Sequence, residues 1–251
     1  MAQDGVRYAI VADIHSNVDA LSAVMDSIAK DHVDRILCLG DIIGYNAAPA
    51  ECLKMAMDHS VVCISGNHER FLTGATTIEP SVKKGTLDVL DWTKKTISPE
   101  QLEFITGLKR RSFVDNAYLM AHGSPRHEDE YVLTTQVMRD NILYVSNNFL
   151  GITVCFLGHT HAPLVVAQGK LETHFHEDRT LPIEDGKVYL INPGSVGQPR
   201  DGCPKAAYGV FDSGAKTMTI KRVDYDIAAA QKRVREAGFE ERLAVRLAIG
   251  K

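Results

Sequence analysis

Five short, almost wholly apolar runs, at residues 8–12, 36–39, 61–64, 118–121 and 154–157, each stop on a cluster of glycine and polar residues. Runs this short and this uniformly apolar have the pattern of strands buried on both faces. The clusters that end them read, in order, Asp13-Ile14-His15, Gly40-Asp41, Gly66-Asn67-His68-Glu69, Ala121-His122-Gly123 and Gly158-His159-Thr160-His161. One Asp-x-His or His-x-His string is common by chance, but five such pieces in series, each behind a strand, are not. Side chains at the carboxyl ends of neighbouring buried strands project onto one edge of a sheet, where open α/β architectures keep their sites. A single pocket fed by all five motifs is therefore expected.

The segments between them support an α/β class. Asn17 is placed to cap a helix whose apolar positions Val18, Leu21, Val24, Met25 and Ile28 lead to the strand at Ile36, a βαβ start that implies parallel strands. Pro49 opens a second helix through Leu53 and Met57. From about 73 to 110 no strand pattern appears; Leu87 and Leu90 suggest one helix, and Ser98-Pro99-Glu100-Gln101 has the capping-box form ahead of Leu102, Ile105 and Leu108. This stretch reads as a helical insertion beside the site. Beyond Gly158, residues 164–167, 187–191, 208–211 and 218–223 read as short strands of a second sheet layer. At about 226–250, Ile227, Val234, Phe239, Leu243 and Leu247, interrupted by Gly238, suggest two amphipathic helices that pack back on the sheet or join two copies of the chain. With 251 residues, 45% hydrophobic and 24% charged, one domain over 1–251 is expected.

Bulk properties exclude several roles. The first residues carry acid and lack the basic flank of a secretory signal, and no stretch reaches membrane-spanning length without charge or histidine. The five cysteines are scattered, three of them inside apolar runs, as expected of thiols in a reducing cytoplasm. A net charge of −4 and a pI near 6.2 give no footprint for polymeric nucleic acid, while small nucleotides stay open as partners.

The clusters have the chemistry of a two-metal site. Asp13 and His15, two apart on a strand that is ending, can reach one ion through an oxygen and a nitrogen. Asp41, after Gly40, can bridge two cations, and a shared carboxylate offsets their repulsion at the roughly 3.5–4 Å separation of two-metal sites. Asn67 offers a neutral carbonyl oxygen; His122 adds a further nitrogen, and His159 and His161 have the look of a pair split between ions.

In these motifs the chain resembles the calcineurin-like metallophosphoesterase superfamily, whose D-x-H, G-D, G-N-H-[ED], lone H and G-H-x-H elements are matched in order across about residues 7–165. The resemblance implies a two-sheet αββα sandwich with the helical insertion near the active site. It assigns Asp13, His15, Asp41 and His161 to one ion, and Asp41, Asn67, His122 and His159 to the other. The mixed nitrogen and oxygen donors suit Mn²⁺, Fe, Ni²⁺, Co²⁺ or Zn²⁺ better than Mg²⁺ or Ca²⁺. It further implies phosphoester hydrolysis by in-line attack of a bridging hydroxide, with Asp41 between the ions and His68 as general acid, Glu69 orienting it.

The arginine that protein phosphatases carry shortly after G-D is absent, since this chain reads Gly40-Asp41-Ile42-Ile43-Gly44-Tyr45-Asn46. Gly44 and Tyr45, Pro49, Glu51 and the loop at 192–200 are instead similar to small bacterial and archaeal phosphodiesterases and to relatives acting on dinucleoside polyphosphates. The expected substrate is a small phosphodiester or phosphoanhydride, such as diadenosine tetraphosphate. A phosphomonoesterase or Ser/Thr protein phosphatase is the nearer rival, and a non-catalytic protein-binding scaffold the remote one. Tyr45 is a candidate to stack on a base and Arg200 to hold a second phosphate. Lys83, Lys84, Lys94 and Lys95 offer an anion-attracting face or a plain solvated one. His174 and His176 alternate in an acidic stretch that reads as a hairpin, the one other candidate for a metal.

Overall fold

A computed structural model describes residues 5–251 apart from Glu79, Ser81 and Gly169. The chain runs β1 (Arg7–Val11), α1 (Val18–Ile28), β2 (Arg35–Cys38), α2 (Pro49–Asp58), β3 (Val62–Cys63), α3 (Asn67–Thr73), α4 (Lys84–Thr96) and α5 (Pro99–Thr106). It continues through β4 (Arg111–Val114), β5 (Tyr118–Ala121), α6 (Thr135–Asn148), β6 (Val154–Phe156), β7 (Leu164–Ala167), β8 (Lys170–Glu172), β9 (Arg179–Pro182) and β10 (Tyr189–Asn192). Two long strands, β11 (Ala206–Asp212) and β12 (Thr217–Val223), precede α7 (Ile227–Glu236), α8 (Glu241–Val245) and a 3-10 turn over Arg246–Ala248.

The strands form two mixed six-stranded sheets, ordered β3-β2-β1-β11-β12-β9 and β4-β5-β6-β10-β7-β8. The parallel β1-β2-β3 start is present, and β5, β6 and β10 make a second parallel run. The motif-bearing strands are thus split between two sheets, three and two, so the expected single sheet edge is replaced by a seam where two edges meet. Alternation along β1 shows how the layers are held. Tyr8, Ile10 and Ala12 face the second sheet with Met120, Phe156, Tyr189 and Ile191, while Ala9 and Val11 face α1 and α2 through Leu21, Val24 and Leu53, as strand pleating requires. The second sheet's outer face, Leu119, Ala121, Cys155 and Leu157, is covered by Met138, Ile142 and Val145 of α6. The layers are therefore αββα.

Local signals match the caps. The Asn17 side chain accepts the Ala20 N–H, and Ser98 and Gln101 exchange bonds reciprocally at α5. Three expectations are corrected. The run at 61–64 yields only a two-residue strand at the edge of its sheet, with Val62 exposed and Ile64 bridged to Lys109. His174 and His176 lie in no hairpin: β8 pairs β7 in one sheet and β9 pairs β12 in the other, so this segment crosses between layers. The tail packs on helices rather than on a sheet, Val234, Leu243 and Ala244 clustering with Val89 of α4 and touching Tyr45. Among the described residues no helix is long and apolar enough to cross a membrane, and all five cysteines are free.

Candidate metal centre

The carboxyl ends of β1 and β2, the Gly66 turn before α3, and the ends of β5 and β6 converge at the seam. Asp13, His15, Asp41 and His161 present ligand atoms within 4.8 Å of one another, as do Asp41, His122 and His159, all six residues buried. These two groups coincide with the two ligand sets implied by the sequence resemblance, and Asn67 joins the second through Oδ1, 3.1 Å from His122 Nε2. Asp41 stands between them. Its Oδ2 lies 3.6 Å from His15 Nε2 and 3.3 Å from His122 Nε2, while Oδ1 accepts the His68 N–H at 3.0 Å.

The protonation pattern tests whether cations fit. His15 Nδ1 donates to Ile43 O at 3.0 Å and His161 Nδ1 to Gln198 O at 2.6 Å. Each neutral ring therefore turns a lone pair outward from Nε2, and the two Nε2 atoms lie 3.0 Å apart. Two lone pairs facing each other in a buried site repel unless a cation or proton lies between them. The second set repeats the pattern: His122 Nδ1 donates to Leu39 O, leaving Nε2 toward Asn67 Oδ1, Asp41 Oδ2 and, at 3.1 Å, His159 Nδ1. His159 Nε2 is buried without a partner. Burial pulls the His122 pKa down, but the Asp41 carboxylate outweighs it and holds the ring up at about 9. An ion bound there would have to displace that proton, since a ligand imidazole is neutral. Burial, the largest effect, lowers His15 and His161 well below the ordinary imidazole range and His159 to about 3. These rings are neutral, as metal ligands must be. The residues present fit two divalent ions of the borderline transition-metal class.

The backbone around these ligands is unusual. Asp13, His15, Asp41, His159 and His161 all have positive φ, between 46° and 67°, as do Ser16 and Tyr45. Left-handed conformations at non-glycine residues cost of order 1–3 kcal/mol each and cluster at functional sites. Surrounding hydrogen bonds hold them. Glu69 accepts the N–H groups of Asp41, Ile43 and Gly66 at 2.9, 3.1 and 2.7 Å. Its carboxylate ties the two glycine turns together and does not bond to His68, a correction to its expected orienting role. The loop at 192–200 does the same from the far side. Ser195 Oγ donates to Asp13 O, Gly197 N–H to the same oxygen, and Asn192 Nδ2 to Gly158 O and Thr160 Oγ1.

His68 is buried beside the ligands, its ring edge-on to those of His15 and Tyr45 at 4.7 and 4.6 Å, with Nδ1 unpartnered. Gly44 makes room for it, since a Cβ there would lie 2.0 Å from His68 Nδ1 and its φ is +103°. Burial first, then the charges of Arg200 and His122, lower the ring to about 4 against the pull of Asp41.

Outside the ligands opens a cleft of about 570 Å³ whose walls include Tyr45, His68, Tyr131, Arg200, Arg242 and Arg246. Tyr45 and Arg200 are thus both at the site. Tyr131, Arg242 and Arg246 were not anticipated: Tyr131 packs against His159 with ring centroids 4.0 Å apart and planes tilted by 33°, and the arginines arrive on the tail. Lys83 also reaches the cleft, whereas Lys84, Lys94 and Lys95 are exposed and do not line it. His174 and His176, with ring centroids 6.4 Å apart, belong to neither ligand group.

The model of the calcineurin-like phosphoesterase superfamily domain matches residues 6–216. Over 249 residues the chain is 36% identical to an uncharacterized protein of Methanocaldococcus jannaschii, covering 97% of this chain and 98% of that one. A metallophosphoesterase from Sphaerobacter thermophilus superposes with a TM-score of 0.85 at 33% identity, covering 98% of this chain and all of the other. A symmetrical bis(5'-nucleosyl)-tetraphosphatase of Pseudomonas fluorescens is similar over a shorter stretch, 28% identical over 109 residues, 41% of this chain and 36% of that protein.

Proposed function

The chain belongs to the calcineurin-like phosphoesterase superfamily, and from that premise we propose that it hydrolyses phosphodiester or phosphoanhydride bonds of small phosphorylated molecules, nucleotides such as diadenosine tetraphosphate among them. That it is a metal-dependent phosphoesterase rests on the family. The finer reading is carried by the cleft, where two tyrosine rings and guanidinium groups border the ligand clusters. Flat rings suit a base or other aromatic leaving group, and guanidinium forks suit phosphate oxygens. The partial similarity to a dinucleoside tetraphosphatase points the same way. Five free cysteines support a reducing compartment such as the cytoplasm.

Asp13, His15, Asp41 and His161 would hold one ion, and Asp41, Asn67, His122 and His159 the second. Bound there, two such ions supply Lewis-acid stabilisation of phosphoryl charge and lower the pKa of water. The protein's own part is positioning and proton transfer. Water adds to phosphorus, the P–O bond to the leaving group breaks, and the leaving oxygen takes its proton from His68 while the proton of the water passes to solvent. Without substrate, burial keeps His68 neutral; a phosphoryl anion beside it favours the protonated ring and thereby loads the acid when it is needed.

The test is turnover of bis-p-nitrophenyl phosphate, p-nitrophenyl phosphate, diadenosine tetraphosphate and a phosphopeptide, after stripping metal and restoring Mn²⁺, Ni²⁺, Zn²⁺ or Mg²⁺ separately. Cleavage of the diester or the dinucleotide ahead of the other two supports the reading. Preference for the monoester or phosphopeptide overturns it.

A further inference from the structure

The Tyr45 ring has two guanidinium groups over it, Arg200 at 5.5 Å and Arg246 at 5.8 Å from its centroid. They come from two segments that meet beside the site, Arg200 from the loop after β10 and Arg246 from the 3-10 turn that ends the tail, the Gly202 N–H donating to Gly250 O at 2.9 Å. Both are only partly buried. Arg200 donates from Nε and Nη2 to Gln198 Oε1, and Arg246 from Nε to the main-chain oxygen of Lys251. Among the described residues no side-chain carboxylate lies within ion-pair distance of either, although most arginines of this chain have one, Arg70, Arg222 and Arg235 among them. Two like charges over one ring, neither held by a side-chain carboxylate, repel, and an anion entering between them relieves that repulsion. The repulsion is felt: burial, then the charge of Arg200, lowers Arg246 to about 10, which leaves it protonated.

The pair is also adjacent to the chemistry. Tyr45 packs at 4.5 Å on the ring of His15 and at 4.6 Å on that of His68, so the guanidinium groups stand one ring away from the ligands. Lys83 and Arg242 reach the same cleft, Arg242 already paired with Glu240. Resting on the reading above that a small phosphoester is cleaved at the ligand clusters, we propose that Arg200 and Arg246, on either side of Tyr45, form a distal phosphate subsite that selects substrates carrying a phosphoanhydride chain over those carrying a single phosphate. The tail helices are then part of the specificity apparatus, held in place by Val234, Leu243 and Ala244 against Val89.

The test compares tripolyphosphate with inorganic phosphate as ligands of the metal-loaded protein by isothermal titration calorimetry. Wild type should prefer tripolyphosphate, and Arg246→Gln should reduce that preference at least tenfold through loss of a charge-assisted pair. Arg200→Gln, on a different element, should do the same and decides the matter if Arg246→Gln does not fold. Arg246→Lys, which keeps charge but loses the fork, should fall between. A preference unchanged within twofold in the folded glutamine variants overturns the subsite. If the preference depends on the arginines while wild type hydrolyses no anhydride, the subsite stands and the phosphoanhydride reading fails.

Discussion

What each histidine of the site can do is set by the nitrogen it has already committed. Main-chain carbonyls take Nδ1 of His15, His122 and His161, which fixes tautomer and ring plane before any ion arrives and is how ligand imidazoles are normally oriented. His68 has no such tether and no place in either cluster. His68→Ala is accordingly expected to keep two ions per chain, measured by inductively coupled plasma mass spectrometry, while kcat falls about 10²- to 10⁴-fold, the usual worth of a positioned general acid. Gly44→Ala should be harsher on structure, because the new Cβ meets His68 at 2.0 Å in a left-handed turn. A loss of about 1–3 kcal/mol is expected from the denaturation midpoint. At this scale the residues of both candidate clusters are legible in the sequence, since each motif places them next to a glycine or at a strand end. The left-handed backbone of Asp13, His15, Asp41, His159 and His161 is not, because its supports come from residues far away in the chain: Ser195 and Gly197 bond to Asp13, Glu69 to Asp41, Asp13 to His159 and Arg200 to His161.

Among elements, the loop at 192–200 does the work that a sequence gives least notice of. It has no periodicity, yet Ser195 bonds to Asp13 O and accepts from Gln198 N–H, and Gln198 O receives His161 Nδ1. Ser195→Ala is expected to cost about 1–3 kcal/mol by leaving those groups unpaired, and to weaken metal affinity about 10- to 100-fold, as losses behind a ligand do; titration of the stripped protein with Zn²⁺ reads the second. Strands of the buried parallel runs are legible because both faces are apolar. The strands β8 and β9 escape notice because their residues are mostly exposed or half-buried, β9 burying only Leu181. Helix α6 carries Met138, Ile142 and Val145 at helical spacing, but polar residues outnumber them and leave the segment unassigned in the sequence. The tail is legible as helices, while its place over Tyr45 depends on packing against α4 that no local pattern encodes.

For the molecule as a whole, the candidate ligands split between two sheets: Asp13, His15, Asp41 and Asn67 follow strands of the first, His122, His159 and His161 those of the second. Ions held between them join the layers, so chelation should lower the melting temperature, and restoring metal at 100 times its Kd should return about 2.7 kcal/mol. Acid should act on the stripped protein in a definite direction. Burial depresses His15, His68, His159 and His161 in the folded state, and raises Asp13 to about 7 and Glu69 to about 6. Between pH 6 and 5 the unfolded chain takes up protons at the four rings that the folded chain refuses, while the two carboxyls and, more weakly, His122, held up at about 9, work the other way. The rings outnumber the carboxyls, so stability falls as pH falls, by about 1–3 kcal/mol per pH unit, measurable as the urea midpoint at pH 7 and pH 5.

The pairing of β1 with β11 joins residues about two hundred positions apart, Tyr8 opposite Phe211. A ribosome has finished the last ligand, His161, well before it makes the strand that flanks the first. A nascent chain or fragment that stops short of Ala206 therefore carries every candidate ligand in its sequence but lacks one of the two strands that flank β1. Completion of the sheet under the centre waits for this distant partner, which makes it a late and slow event in the life of the chain.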